Sequence, residues 1–149
     1  MATGRYVSDL EAGDRLGPIT YEVSAFTVRE YCHAVELNHE MFLGISNPVA
    51  PPTLVHLDKL KLYEQTCPEG TGPHARVHIE FDATIHAPVP VGLTVRVAGV
   101  ARERFEKRGR TYVITDIYMT DAASGRALID YRDTVVLSYA PAASAGATA

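Results

Sequence analysis

The 149 residues carry 14 Lys and Arg against 18 Asp and Glu, a net charge of −4, with 46% hydrophobic residues. That length suits one domain with a proper core, and the composition is that of a globular chain and not of a disordered or fibrous one. The acidic balance offers no footprint for nucleic acid or an anionic membrane surface. No apolar run approaches the roughly eighteen residues of a membrane helix. The opening MATGRYVSDLEAGD lacks the basic and apolar regions of a secretory signal, and Cys32 and Cys67 stand in no metal-ligand spacing. The expectation is one cytoplasmic domain over 1–140 with reduced, packed cysteines, no metal and no other cofactor. The Ala-rich tail over 141–149 has no large apolar side chain to offset the entropy of ordering it.

In chain order, YEVSAFTVREYCHAVEL reads as a short strand turning into a helix. Thr27 and Glu30 make a T-x-x-E capping box, with Phe26 and Tyr31 placed as a hydrophobic staple. This predicts a helix from about Val28 to Leu37, stopped by Asn38, which tolerates left-handed geometry. A second helix follows NPVAPP, because prolines suit a first turn whose N–H groups need no intrahelical partner. Within TLVHLDKLKLYEQ, Leu54, Val55, Leu57, Leu60, Leu62 and Tyr63 cover more than one stripe. That predicts a helix buried on most sides, closed by Cys67-Pro68-Glu69-Gly70. Asp58 needs a partner inside it, such as Lys61 or a backbone group.

The period then changes. ARVHIEFDATIH alternates, with Val77, Ile79, Phe81, Ala83 and Ile85 on one face and Arg76, His78, Glu80, Asp82, Thr84 and His86 on the polar one. TVRVAGVARERFE, TYVITDIYMTD and RALIDYRDTVVLSY follow as strands, broken by the hairpin-like KRGR and ASG. A buried helix followed by four long antiparallel strands that it packs against is an α+β arrangement.

One stretch concentrates chemistry: AVELNHEMFLG, residues 34–44, places a carboxylate (Glu36), an amide (Asn38) and an imidazole (His39) within four residues at a helix end. At i to i+3 spacing, Glu36 and His39 read either as an acid/base pair or as an ion pair at a helix C-terminus, where a cationic histidine suits the dipole. His56, inside the second helix, reads as a core histidine or as a substrate contact.

The order of elements, with VSDLEAGDRLGPITYEVSAFTVREYCHAVE at the start, APPT before the second helix and DTVVLSY at the end, resembles the hotdog fold. More narrowly it resembles the MaoC-like dehydratase and (R)-specific enoyl-CoA hydratase family. The resemblance implies an antiparallel sheet wrapped around a central helix, and action on acyl groups carried as thioesters on coenzyme A or acyl carrier protein. It also implies pairing with a second hotdog, as a homodimer or a heterodimer. Active members carry a G-D-x-N-P-x-H motif after the first helix, whose Asp and His act on one water. Here Glu36 matches the aspartate and Asn38 the asparagine, but His39 falls on the proline and Met41 on the histidine. Pro52 occupies the position of a glycine that donates its N–H to the thioester carbonyl, and proline has none. Thr53 and Leu54 are left to offer helix N-terminal amides.

The resemblance therefore implies a dehydratase or hydratase with Glu36 and His39 as acid and base, and Asn38, Thr53, Leu54 and His56 contacting substrate. The alternative is a non-catalytic acyl-binding subunit whose partner carries the intact pair, since an APPT-like sequence resembles the non-catalytic half of fused and heterodimeric dehydratases. Recruitment to cyclisation or thioester hydrolysis is a third possibility. The basic run Arg102-Glu103-Arg104 with Lys107-Arg108-Gly109-Arg110 reads as a solvated hairpin tip or as a phosphate contact for coenzyme A or a carrier-protein arm.

Overall fold

A computed structural model describes residues 6–70, 72 and 75–137. The tail over 141–149 lies outside them. A 3₁₀ turn, Val7–Asp9, leads into β1 (Arg15–Glu22), then α1 (Ala25–Ala34), the short α2 (Glu40–Leu43), a second 3₁₀ turn (Pro52–Leu54) and α3 (Val55–Thr66). Strands β2 (Arg76–Ile85), β3 (Thr94–Lys107), β4 (Arg110–Asp121) and β5 (Ala127–Leu137) complete the chain. All pairings are antiparallel, in the order β1-β3-β4-β5-β2, so β1 and β2 are the edges. The predicted α+β architecture of a helix followed by long strands is present, and the four long strands lie within a few residues of those observed, whereas the short strand read from Tyr21 is the end of the eight-residue β1.

α3 lies against the sheet, burying Val55, Leu62 and Tyr63 in one core with Leu16, Val95, Val97, Ile117 and Tyr131. It is not buried on most sides, however. Leu57 and Leu60 are 36% and 52% exposed, while Asp58 and Lys59 are buried. Its apolar residues spread around the helix because one stripe meets the sheet and another is left facing out.

Two local expectations are corrected. α1 begins three residues before Val28, capped by Ser24, whose hydroxyl oxygen accepts the Thr27 N–H at 3.1 Å. Thr27 sits inside the first turn. The residues flanking the cap, Val23 and Val28, are fully buried in the core where a staple should be, whereas Phe26 is 63% exposed. The helix ends at Ala34 and not at Leu37: the Leu37 N–H donates to the Cys32 carbonyl at 2.8 Å and the Glu36 N–H to His33 at 3.4 Å. This is a Schellman closure, which needs a left-handed residue after the cap, and Glu36 supplies it with φ 56°. Turning the chain there brings Leu37 back against the core.

The second correction concerns β2. Its pairing with β5 slips between His78 and Glu80, so Ile79 is an extra, bulged residue. A bulge reverses the side-chain phase. His78, opposite Val135, and Phe81, opposite Asp133, therefore share the face turned to α3, and His78 is not on the polar face.

Candidate functional site

The predicted site residues separate in space. At the proline end of α3 a cavity of about 250 Å³ is bounded by Met41, Phe42, Pro52, Ile85, Val89 and Ile129, and every described residue lining it is apolar. Backbone pairing builds its walls. The Ala50 N–H donates to Val89 at 2.7 Å, the Val91 N–H to Pro48 at 2.9 Å, and the Val49 N–H to Met41 at 2.9 Å. Those bonds tie the end of α2 and the segment 48–50 to the segment 89–91, and Met41, though 56% exposed, lines the cavity.

Glu36, Asn38 and His39 are exposed and are not among the lining residues. No hydrogen bond or ion pair joins Glu36 to His39 among the described residues. His39 caps α2 instead: its Nδ1 accepts the Met41 N–H at 3.0 Å. A neutral ring accepting at Nδ1 carries its proton on Nε2, so its free nitrogen donates and does not accept.

Thr53 is exposed beside Pro52, and the Tyr31 hydroxyl donates to its Oγ1 at 2.7 Å. The Thr53 hydroxyl proton thus points elsewhere, next to a backbone N–H that begins the 3₁₀ turn without a turn partner of its own. The Leu54 amide is not free as the sequence suggested. It donates to the Pro51 carbonyl at 3.0 Å, because Pro52–Leu54 winds as a tighter 3₁₀ turn before α3 begins. Sequence reasoning passed over Tyr31 as a site residue, although its position one helix turn after Thr27 was the available signal.

The ionisable groups converge in the middle of α3. His78 Nδ1 lies 2.7 Å from Asp133 Oδ1, Lys59 Nζ is 3.1 Å from Asp133 Oδ2, and Asp133 is 1% exposed. His56 packs 4.4 Å from the Phe81 ring and 5.9 Å from His78. Burial first, then Lys59 and His78, push the His56 imidazole below its ordinary value, against the raising pull of Asp133. On the other side of the helix the Tyr21 hydroxyl donates to Asp58 Oδ1 at 2.6 Å, and Lys61 lies 3.9 Å from the same oxygen. Burial nevertheless raises the Asp58 carboxyl to about 6, against the lowering pull of Tyr21 and Lys61. Lys61 is the partner foreseen for Asp58, and Tyr21 is an addition.

The basic run is partly committed internally: Arg104 donates to the Ser8 and Leu10 carbonyls at 2.7 and 3.0 Å, and Arg102 pairs with Asp116. Both cysteines are buried, and burial raises both thiols. Among the described residues no group of three or more His, Cys, Asp or Glu could hold a metal ion, and no helix is long and apolar enough to cross a membrane.

Neither a protein-family model nor a curated protein matches the sequence. Solved structures do. The HadBC (3R-hydroxyacyl-ACP dehydratase) complex of Mycobacterium tuberculosis superposes with a TM-score of 0.71 at 21% identity, over 84% of this chain and 96% of that one. The chain has the hotdog fold. The (R)-hydratase of A. caviae involved in PHA biosynthesis shares this hotdog with a TM-score of 0.64 at 18% identity, over 85% and 96% of the two chains. The ChsH1-ChsH2 complex of M. tuberculosis does so at 0.64 and 12%, over 91% and 95%. In this hotdog the central helix is α3, and the apolar cavity stands at its N-terminal end.

Proposed function

We propose that this hotdog is the acyl-binding half of a MaoC-like dehydratase or hydratase: it seats an acyl or polyketide thioester, on coenzyme A or acyl carrier protein, and a second hotdog supplies the acid and base. The observation that carries this reading is the proline-end cavity, whose described lining holds no ionisable side chain and has Met41 at the expected histidine position. An apolar pocket of that kind takes an acyl chain and has nothing in its wall to move a proton. Beside it, the Thr53 N–H and hydroxyl, steadied by Tyr31, are the donors for the thioester carbonyl in place of the missing Pro52 amide.

A partner hotdog is supported by the unpaired edge of β2, where Val77, Ile79 and Ile85 are exposed, and by the exposed Leu57 and Leu60 of α3. HadBC and ChsH1-ChsH2 are themselves complexes. Under this reading isolated chain binds butyryl-CoA but does not hydrate crotonyl-CoA. Thr53→Val, which removes the hydroxyl alone, weakens butyryl-CoA binding by roughly fivefold to tenfold, the worth of one hydrogen bond.

The second reading keeps the chemistry in this chain, with Glu36 and His39 as acid and base and Asn38, Leu54 and His56 as further substrate contacts. It draws on the position of His39 at the cap of α2, two residues before the cavity-lining Met41. Crotonyl-CoA hydration by the isolated chain that falls roughly 10²-fold in His39→Ala decides for it.

A further inference from the structure

We infer, resting on the acyl-thioester reading, that the tail seated at the proline end is a plain hydrocarbon of about eight carbons and not an oxygenated polyketide chain, and that Ala50 and Ala87 set its length.

The cavity has a direction. Among its lining residues Met41, Pro52, Ile85 and Pro88 are exposed, whereas Ala50, Ala87, Val89 and Ile129 are buried. The first group makes a mouth and the second a floor. Thr53, the donor assigned to the thioester carbonyl, follows Pro52 on the mouth side and is itself exposed. A tail whose carbonyl stays at Thr53 therefore ends against the floor.

Backbone pairing fixes the depth of that floor. The Ala50 N–H donates to the Val89 carbonyl at 2.7 Å and the Ala87 N–H to Leu128 at 3.3 Å, while Val49 and Pro90 form an antiparallel bridge beside them. The floor cannot sink without breaking those pairs, so the size of its side chains decides how far a tail reaches. Two of the four are bare methyl groups. At roughly 30 Å³ per water-sized group, which is also about the size of a methylene, the 250 Å³ hold about eight carbons.

The same wall selects the chemistry of the tail. Its described side chains are all apolar, and the N–H groups of Phe42, Val49, Ala50 and Ala87 already donate to His39, Met41, Val89 and Leu128. Pro52 and Pro88 have no N–H to offer. A keto or hydroxyl oxygen carried to the floor would lose its water and find no donor in exchange, whereas a methylene in the same place gains by leaving water.

Calorimetric titration of S-acyl-pantetheines, the portion common to coenzyme A and acyl-carrier-protein thioesters, into the isolated chain tests the inference. Over the even-numbered series from butyryl to dodecanoyl, affinity should rise roughly threefold to fourfold per methylene as far as octanoyl and then level off. The 8-hydroxyoctanoyl thioester should bind at least about tenfold more weakly than octanoyl. Ala50→Leu and Ala87→Leu, each adding an isopropyl group at the floor, should draw the break back by about three carbons. Val89→Ala, which removes floor volume, should move it out by about two, with thermal melts as the check on folding. Affinity that keeps rising past decanoyl, equal binding of the 8-hydroxy tail, or a break that stays in place in every folded variant overturns the inference and leaves the acyl-thioester reading standing. Failure of every member of the series to bind overturns both.

Discussion

The proline end of α3 and its middle, a turn or two further on, are neighbours in sequence and opposites in chemistry. Around Pro52 the described cavity wall is wholly apolar, and the polar triplet Glu36, Asn38 and His39 faces away to close helices and meet water. Around Asp58 and Lys59, the carboxylates of Asp58 and Asp133 and the Lys59 ammonium are buried, with the imidazoles of His56 and His78 at their margin. The sequence set acid/base groups close to the proline end, but local backbone demands took them. Glu36 accepts a left-handed φ and His39 caps α2, while buried charge is spent on fastening the helix to the sheet.

The largest effect should come from breaking that fastening. Asp133→Ala leaves Lys59 buried without its counter-ion and should cost about 3–5 kcal/mol in urea denaturation. Replacing Lys59 and Asp133 together by Met and Leu should recover most of the loss. A single mutant costing under about 1 kcal/mol would mean that the pair is not what holds this region.

Asp58 gives the next effect, with a sign that depends on pH. Its carboxyl rises from 3.8 to about 6 on folding, so between those values the native state holds the extra proton. Stability therefore falls as pH rises through that window, and the cost is complete above it. Asp58→Asn, which keeps an acceptor for the Tyr21 hydroxyl, should stabilise by on the order of 2 kcal/mol near pH 8 and by little near pH 3.5. Thermal melts at the two pH values check it, and a pH-independent difference would contradict the assignment.

Smaller effects separate the two uses of polar residues at helix ends. Ser24→Ala should cost about 1 kcal/mol and Thr27→Ala clearly less, because Ser24 is the cap. Glu36→Gly should stabilise by up to about 1 kcal/mol through relief of the left-handed backbone, provided Glu36 serves only to end α1. Chemical denaturation of each variant reads both.

The change from helical to alternating periodicity after Gly70 made the α+β class and the strand positions legible, because burial against one helix writes itself directly into residue spacing. The inward turn of His78 was not legible. A bulge adds one residue to a strand without altering its composition, and Ile79 is as β-prone as its neighbours. The cap of α1 was misread because Ser24 and Thr27 are both good caps, and only the joint burial of Val23 and Val28 chooses between them. At the candidate site, the sequence showed Met41 where the resemblance implies a histidine, and in the structure Met41 lines an apolar cavity. The Tyr31–Thr53 pair needed coordinates, since 22 residues separate its members.

Calorimetric titration of butyryl-CoA into the isolated chain, paired with a crotonyl-CoA hydration assay on the same sample, tests the central claim most directly. The account predicts saturable binding that is weakened by Met41→Trp at the cavity wall, with no hydration above the uncatalysed rate. Hydration by the isolated chain that collapses in Glu36→Gln or His39→Ala would contradict it.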